Sequence, residues 1–313
     1  MNTPHPNPLL NKERGKILPK VIVILGSTAT GKSDLAVKIA KKINGEVISA
    51  DSRQVYKSLD IGTGKISKKE MKGIPHHLLD VVNPKKKFTV AEYQKKAIHA
   101  MALIVKKGKT PIICGGTGFY IDAITKSTVF PEVPPNLKLR KTLEKKSALE
   151  LFKMLMKLDK RRAKDIKDKN EINNKVRLIR AIEIVKAIGK VPKLQSDTNS
   201  AMAKNVSLYE FIKIGLYLSP DELKKKIEKR VKKMFKDGLL NEIKKLKKAG
   251  ISEKRLKEFG FEYDSPTYEK VVKETIKYTK RQMTWFKRDK EIKWIDASTQ
   301  TNLEKIINDL QKD

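Results

Sequence analysis

Val21-Ile22-Val23-Ile24-Leu25-Gly26-Ser27-Thr28-Ala29-Thr30-Gly31-Lys32-Ser33 is the stretch that decides the fold. Its first five residues form a continuous apolar, mostly β-branched run, as a strand requires when a parallel sheet buries both of its faces. Gly26 to Ser33 then fits G-x-x-x-x-G-K-[ST], a turn whose backbone N–H groups converge on phosphate oxygens at the positive end of a helix. Lys32 adds a mobile cation, and the Ser33 hydroxyl is placed to hold Mg2+. Leu35, Ile39 and Ile43 follow at four-residue spacing and predict an amphipathic helix. A second strand, Glu46-Val47-Ile48-Ser49-Ala50, ends at Asp51. Strand, loop, helix and strand open an α/β fold whose ligand is a di- or triphosphate.

Further along, Thr89-Val90-Ala91-Glu92 has capping-box spacing, and its helix runs through Ile98, Ala102 and Val105 to Gly108. Another buried strand starts at Pro111 and leads into Gly115-Gly116-Thr117-Gly118. From Val129 to Ile188 the pattern is lysine-rich and helical, with Leu178, Ile182 and Val185 on one face and Gly189 and Pro192 as terminators. Gln195 to Asn205 reads as a loop, and β character resumes at Tyr209 to Leu218. Ser219-Pro220-Asp221-Glu222 starts a helix strongly, and Lys293 to Asp296 predicts a late strand before a last helix capped at Ser298. The expected architecture is a P-loop NTPase-like α/β core with a parallel sheet and an all-helical insertion. The core takes residues 17–128 and 206–313, the insertion 129–205, and residues 1–16 form a disordered extension.

Lys and Arg total 70 against 36 Asp and Glu, a net charge of +34, which favours a polyanionic partner such as nucleic acid. The single cysteine, Cys114, sits in an apolar run and reads as a small buried hydrophobe, which excludes a disulfide framework or a cysteine zinc site. No run approaches 18 consecutive apolar residues, and the amino terminus lacks a signal-peptide core, so the expectation is a cytoplasmic protein with no membrane partner, acting as a monomer. The lysine runs 85–87 and 224–226 read as solvated faces.

Most chains with this loop transfer a phosphoryl group and need a Mg2+-holding acid at a strand end. Asp51 fits that description, but a kinase does not account for Asp51-Ser52-Arg53-Gln54-Val55-Tyr56, Asp60-Ile61-Gly62-Thr63-Gly64-Lys65 or Pro75-His76-His77-Leu78-Leu79-Asp80. Together with Gly115-Gly116-Thr117-Gly118-Phe119-Tyr120, Lys280-Arg281-Gln282-Met283-Thr284-Trp285-Phe286 and the helical insertion, these runs resemble the tRNA dimethylallyltransferases, also called isopentenyl-tRNA transferases. The resemblance covers about residues 20 to 296 in a consistent order. It departs at Glu258-Phe259-Gly260-Phe261-Glu262-Tyr263, where the family pattern implies a basic residue and an RNA contact and this chain has Glu262.

The resemblance implies dimethylallyl pyrophosphate as donor and an adenine beside the tRNA anticodon as acceptor, its exocyclic amine attacking the allylic carbon while pyrophosphate leaves. Such an amine is a poor nucleophile, and a carboxylate that accepts its proton helps. Asp51 suits that role, or alternatively holds Mg2+. The loop from Gly26 through Ser27, Thr28, Ala29, Thr30, Gly31 and Lys32 to Ser33 receives the pyrophosphate with Mg2+ on Ser33. By resemblance Arg230 adds a cation and Thr117 contacts the target nucleotide. The acceptor base must be flipped from its stack, and Ser52, Arg53 and Gln54 are placed to read or hold it. The insertion offers Arg140, Arg161, Arg162, Lys175, Arg177 and Arg180 to the anticodon arm, with Arg177 and Arg180 on one face. His76 and His77 lack a third ligand at metal spacing and read as a turn; Trp285 and Phe286 read as core. The other readings are an adenylate isopentenyltransferase, a P-loop kinase and a noncatalytic RNA-binding protein.

Overall fold

The structure is a computed structural model and describes residues 18–126, 128–192 and 206–312. The expected extension at 1–16 and the loop from 195 to 205 lie outside the described residues. The chain divides into two compact units, one of Met1–Ser127 with Thr198–Asp313 and one of Thr128–Asp197.

In the first unit, six strands form one parallel sheet in the order β3-β2-β4-β1-β5-β6: β1 Lys20–Gly26, β2 Gly45–Ser49, β3 His76–His77, β4 Thr110–Gly115, β5 Glu210–Tyr217 and β6 Lys293–Asp296. Strand β1, with the run Val21 to Leu25, lies near the middle, Ile24 pairing with Cys114 on one side and Ile214 on the other. Burial on both faces explains its unbroken apolar character. Val21, Val23 and Leu25 pack with helix α3, Val90–Lys106, and with α4, Gly118–Thr125. Ile22 and Ile24 face α1, Lys32–Lys42, in the opposite layer. The capping box at Thr89 and Glu92 is formed, as is that at Ser219 and Glu222.

His76 and His77 correct the expected turn. They form the edge strand β3, pairing with Val47 and Ile48, and His77 Nε2 lies 2.7 Å from Glu46 Oε2. Lys109, His77 and Lys107 outweigh burial and hold the Glu46 carboxyl at about 2.

Because the strands are parallel, the carboxyl ends of β1, β2 and β4 open at one edge, where ligands bind in such sheets. Gly26 turns the chain there with φ 140, and a Cβ would sit 2.4 Å from the Leu216 carbonyl oxygen. Between β2 and β4 the chain also contains the short helix α2, Lys68–Met71. After β5 come α9 Pro220–Lys236, α10 Leu239–Lys248, α11 Glu253–Phe259 and α12 Tyr268–Phe286, and α13 Gln300–Lys312 follows β6. No helix among the described residues is long and apolar enough to cross a membrane.

The second unit consists of α5 Leu137–Glu144, α6 Ala148–Leu158, α7 Lys160–Asp168 and α8 Lys175–Ile188 around a core that includes Leu143, Leu151, Leu155, Ile166, Leu178 and Ile182. Gly189 ends α8 in the left-handed conformation, φ 80.

Candidate active site

Helix α1 begins at Lys32, so the last residues of the loop form its first turn and direct their amides outward from its positive end. Ser27 and Thr30 are buried, and Thr30 Oγ1 donates to the Ser27 carbonyl at 2.9 Å. Lys32 Nζ donates to the same carbonyl at 2.5 Å, folding the cation back over the loop. Burial lowers the Lys32 ammonium to about 8; Arg230 adds to that lowering while Cys114 and Asp51 oppose it. Burial pushes the Cys114 thiol up to about 11, which suits a packed neutral group rather than a nucleophile.

Asp51 follows β2 directly. Its Oδ1 accepts from the Arg53 N–H at 2.8 Å and the Gln54 N–H at 3.3 Å, an aspartate turn that leaves Oδ2 outside those bonds. The neighbouring turn is tied to it: the Thr117 N–H donates to the Ala50 carbonyl at 3.1 Å, and Thr117 Oγ1 accepts from the Ser52 N–H at 3.0 Å. Carboxylate and threonine thus share one hydrogen-bonded frame beside the phosphate loop.

Arg53 and Gln54 turn away from a free surface. Arg53 Nη1 meets Glu262 Oε2 at 2.5 Å, and its guanidinium lies 5.8 Å from the Tyr278 ring centroid. Burial alone would lower the Arg53 pKa, but Glu262 and Asp51 outweigh it and the net shift is upward. Gln54 Nε2 donates to the carbonyls of Thr63 and Gly64 at 3.4 and 3.3 Å. Arg230 Nη2 donates to the Thr63 carbonyl at 3.1 Å, and its pKa is lowered by burial and then by Arg53. Asp51, Arg53, Glu262 and Arg230 therefore form one coupled set of charges.

Two residues at this edge carry no signal that sequence reasoning used. Glu242 accepts from the N–H groups of Asp60, Ile61 and Gly62 at 2.9, 2.7 and 3.0 Å and from the Tyr263 hydroxyl at 2.8 Å, shaping the loop that receives Arg230. Gln282 bridges the phosphate loop and the Gly116 turn. Gln282 lies inside the quoted run from Lys280 to Phe286, where the recognisable pattern gives no hint of what its amide touches. Phe286 is buried as expected, and the Trp285 indole N–H donates to Asp122 Oδ2 at 3.1 Å.

Within the helical unit, Glu183 gathers arginines. It accepts from Arg140 Nε and Nη2 at 2.9 and 2.7 Å and from Arg180 Nη1 at 2.5 Å, and Arg180 Nη2 donates to the Val133 carbonyl at 2.8 Å. Arg177 pairs with Glu171. Arg161 is engaged in the same way, with Asp159, Asp165 and the Val191 carbonyl, so all four side chains hold protein partners and stay partly open to solvent.

A divalent cation shared with a pyrophosphate needs few protein ligands, because phosphate oxygens and waters complete its shell. Exposed Ser33 offers one hydroxyl, and Asp51 lies at the same sheet edge. No cluster of three or more His, Cys, Asp or Glu side chains suited to holding a metal occurs among the described residues. The donor set fits a phosphate-borne ion rather than one caged by the protein.

A parallel sheet with the phosphate loop after its first strand, and helices in both layers, defines a P-loop NTPase-like core. The family model for IPP transferase matches residues 54–289. A tRNA dimethylallyltransferase of Halothermothrix orenii is 38% identical, with 97% of this chain and 96% of the relative covered. One from Caldanaerobacter subterraneus subsp. tengcongensis is 41% identical over 88% of this chain and 91% of its own. The crystal structure of the full-length tRNA isopentenylpyrophosphate transferase from Bacillus halodurans superposes with a TM-score of 0.67 at 32% identity, covering 94% and 96% of the two chains. A eukaryotic dimethylallyltransferase acting on tRNA gives 0.73 at 27% identity, covering 94% of this chain and 80% of that one. The chain belongs to the IPP transferase family, that of the tRNA dimethylallyltransferases.

Proposed function

We propose that this protein transfers a dimethylallyl group from dimethylallyl pyrophosphate to the exocyclic amine of the adenine 3′ of the anticodon in tRNA, acting as a cytoplasmic monomer. The observation that carries the reading is the bond from the Ser52 N–H to Thr117 Oγ1, because it holds a carboxylate and a hydroxyl together beside a phosphate loop. A carboxylate that takes the proton and a hydroxyl that orients the attacking amine suit an amine acceptor set against a pyrophosphate cradle.

The amine nitrogen attacks the allylic carbon, a carbon–nitrogen bond forms as the carbon–oxygen bond to pyrophosphate breaks, and Asp51 takes the surplus proton. Thr117 orients the amine. Negative charge grows on the leaving oxygen, and amides from Ala29 to Ser33, the Lys32 ammonium swung off the Ser27 carbonyl, and Arg230 stabilise it. Mg2+ on Ser33 would supply further neutralisation of the pyrophosphate when bound. Ser52, Arg53 and Gln54 line the acceptor side, and Arg53 and Gln54 shape it through Glu262 and the Gly62-Thr63-Gly64 turn. Charge of +34 supports tRNA as the polyanion, with Arg177 and Arg161 as phosphate contacts of the helical unit and Arg140 and Arg180 setting its shape around Glu183.

The test incubates labelled dimethylallyl pyrophosphate with unmodified tRNA or with AMP. Label is expected in tRNA and not in AMP, and label in AMP alone would replace the reading with that of an adenylate isopentenyltransferase. Affinity for tRNA should fall steeply with salt, and that for pyrophosphate much less; a flat response for tRNA would count against the charge argument.

A further inference from the structure

We infer that Gln282 is a positioning residue that sets the distance and angle between the pyrophosphate loop and the acceptor turn, an inference that rests on the transfer reading above. The sheet aligns β1 and β4 only as far as the pair Leu25 and Gly115. Past that point one chain becomes the phosphate loop and the other the Gly116-Thr117 turn, and the Gln282 amide makes the link. Its Oε1 accepts from the Thr28 N–H at 3.0 Å, and its Nε2 donates to the Gly116 carbonyl at 2.8 Å. Gln282 is buried, on a helix of 19 residues, so the link is carried by a rigid element.

The fit is specific to an amide. One end must accept and the other donate, which neither a carboxylate nor an apolar side chain of that length provides. Gly116 completes the fit, since a Cβ there would stand 2.4 Å from Gln282 Nε2. The connection then runs from Thr28 through Gln282 and Gly116 to Thr117, whose Oγ1 receives the Ser52 N–H next to Asp51. The N–H of Thr28 is engaged by the glutamine, so loop anion binding falls to the amides that follow it.

Donor and acceptor each keep their own contacts without this link, but their mutual alignment depends on it. Misplacing reacting atoms by an ångström costs on the order of 100-fold in rate. In Gln282→Met the single-turnover transfer rate is expected to fall about 30- to 100-fold, while dissociation constants for inorganic pyrophosphate with Mg2+ and for tRNA change less than about threefold. Gly116→Ala, which pushes the amide aside from the other partner, should reproduce that split. Thr279→Val removes a hydroxyl bonded to the Ile276 carbonyl one turn earlier on the same helix and should leave the rate unchanged. A Gln282→Met rate within threefold of wild type, or binding losses matching the rate loss, would overturn the inference.

Hydrogen exchange gives a readout that needs no transfer. Adding pyrophosphate and Mg2+ to wild type should slow exchange at the Gly116 to Phe119 amides, and both variants should abolish that effect. Wild type lacking the effect sinks the link. Link-dependent protection in a protein that labels no tRNA sinks the transfer reading and upholds the link.

Discussion

Arg53 and Glu262, 209 positions apart in sequence, form an ion pair of 2.5 Å whose acid is almost wholly buried. Gly260 makes room for it: with φ 127 it lets the chain bend, and a Cβ there would lie 2.8 Å from Arg53 Nη1 and 2.9 Å from Glu262 Oε2. The acid that interrupts the family pattern therefore balances a site that already holds Arg53 and Arg230. Its carboxylate partners protein, in a position where the pattern led one to expect an RNA contact.

Removing that balance should be costly. Glu262→Gln leaves Arg53 buried without its counter-charge, and breaking one side of such a pair costs about 3 kcal/mol. Denaturant unfolding should show a loss of that size, with Arg53→Met in the Glu262→Gln background recovering part of it. Equal stabilities of wild type and Glu262→Gln would mean that the pair contributes nothing.

Asp51→Asn is a clean chemical test because asparagine Oδ1 can still accept from the N–H groups of Arg53 and Gln54. The turn survives and the proton acceptor is lost. Single-turnover prenylation should drop at least about 100-fold with pyrophosphate affinity preserved. A rate within a few-fold of wild type would remove Asp51 as the base.

Lys32 makes donor binding pH-dependent. Burial lowers its ammonium to about 8 in the free protein, so the neutral amine grows in as pH rises through that range. Pyrophosphate favours the charged form, so binding draws in a proton, and affinity weakens as pH rises above 8 by up to about tenfold per unit. Calorimetry in buffers of different ionisation enthalpy should find proton uptake in wild type exceeding that of Lys32→Met at pH values above about 8. Equal uptake by the two proteins would mean either that the lysine is already charged in the free protein or that it does not meet the anion.

The sheet and the loop were legible because their signals are local. Val21 to Leu25 needs two buried faces, Gly26 to Ser33 needs a helix behind it, and Ser219-Pro220-Asp221-Glu222 announces its own helix. Asp51 stood out for a related reason, lying at the end of an apolar strand run, whereas Thr117 entered only through the family resemblance; their hydrogen-bonded juxtaposition has no local signal. What the sequence concealed is the wiring between distant segments. Glu242 serves a loop some 180 residues earlier, Gln282 serves Gly116 and Thr28, and Glu262 serves Arg53. A glutamate or glutamine on a charged helix has the same composition signal whether it faces water or a buried amide. The histidines were misread because a two-residue edge strand leaves almost no period to detect.

Gly64 offers the sharpest probe of Arg230. It adopts φ 57, and a Cβ there would come within 2.0 Å of Arg230 Nη2 and 2.5 Å of its Cζ. Alanine tolerates that φ at a cost of roughly 1 kcal/mol, so the protein should fold, but the guanidinium must leave its place at the Thr63 carbonyl. If Arg230 meets the departing pyrophosphate, Gly64→Ala and Arg230→Met should each slow single-turnover transfer by roughly 10- to 1000-fold, and the double variant should be no slower than Arg230→Met alone. Additive losses in the double variant would mean that Gly64 acts on the reaction by another route. A wild-type rate in Arg230→Met would leave Lys32 and the loop amides as the charge that receives the leaving group.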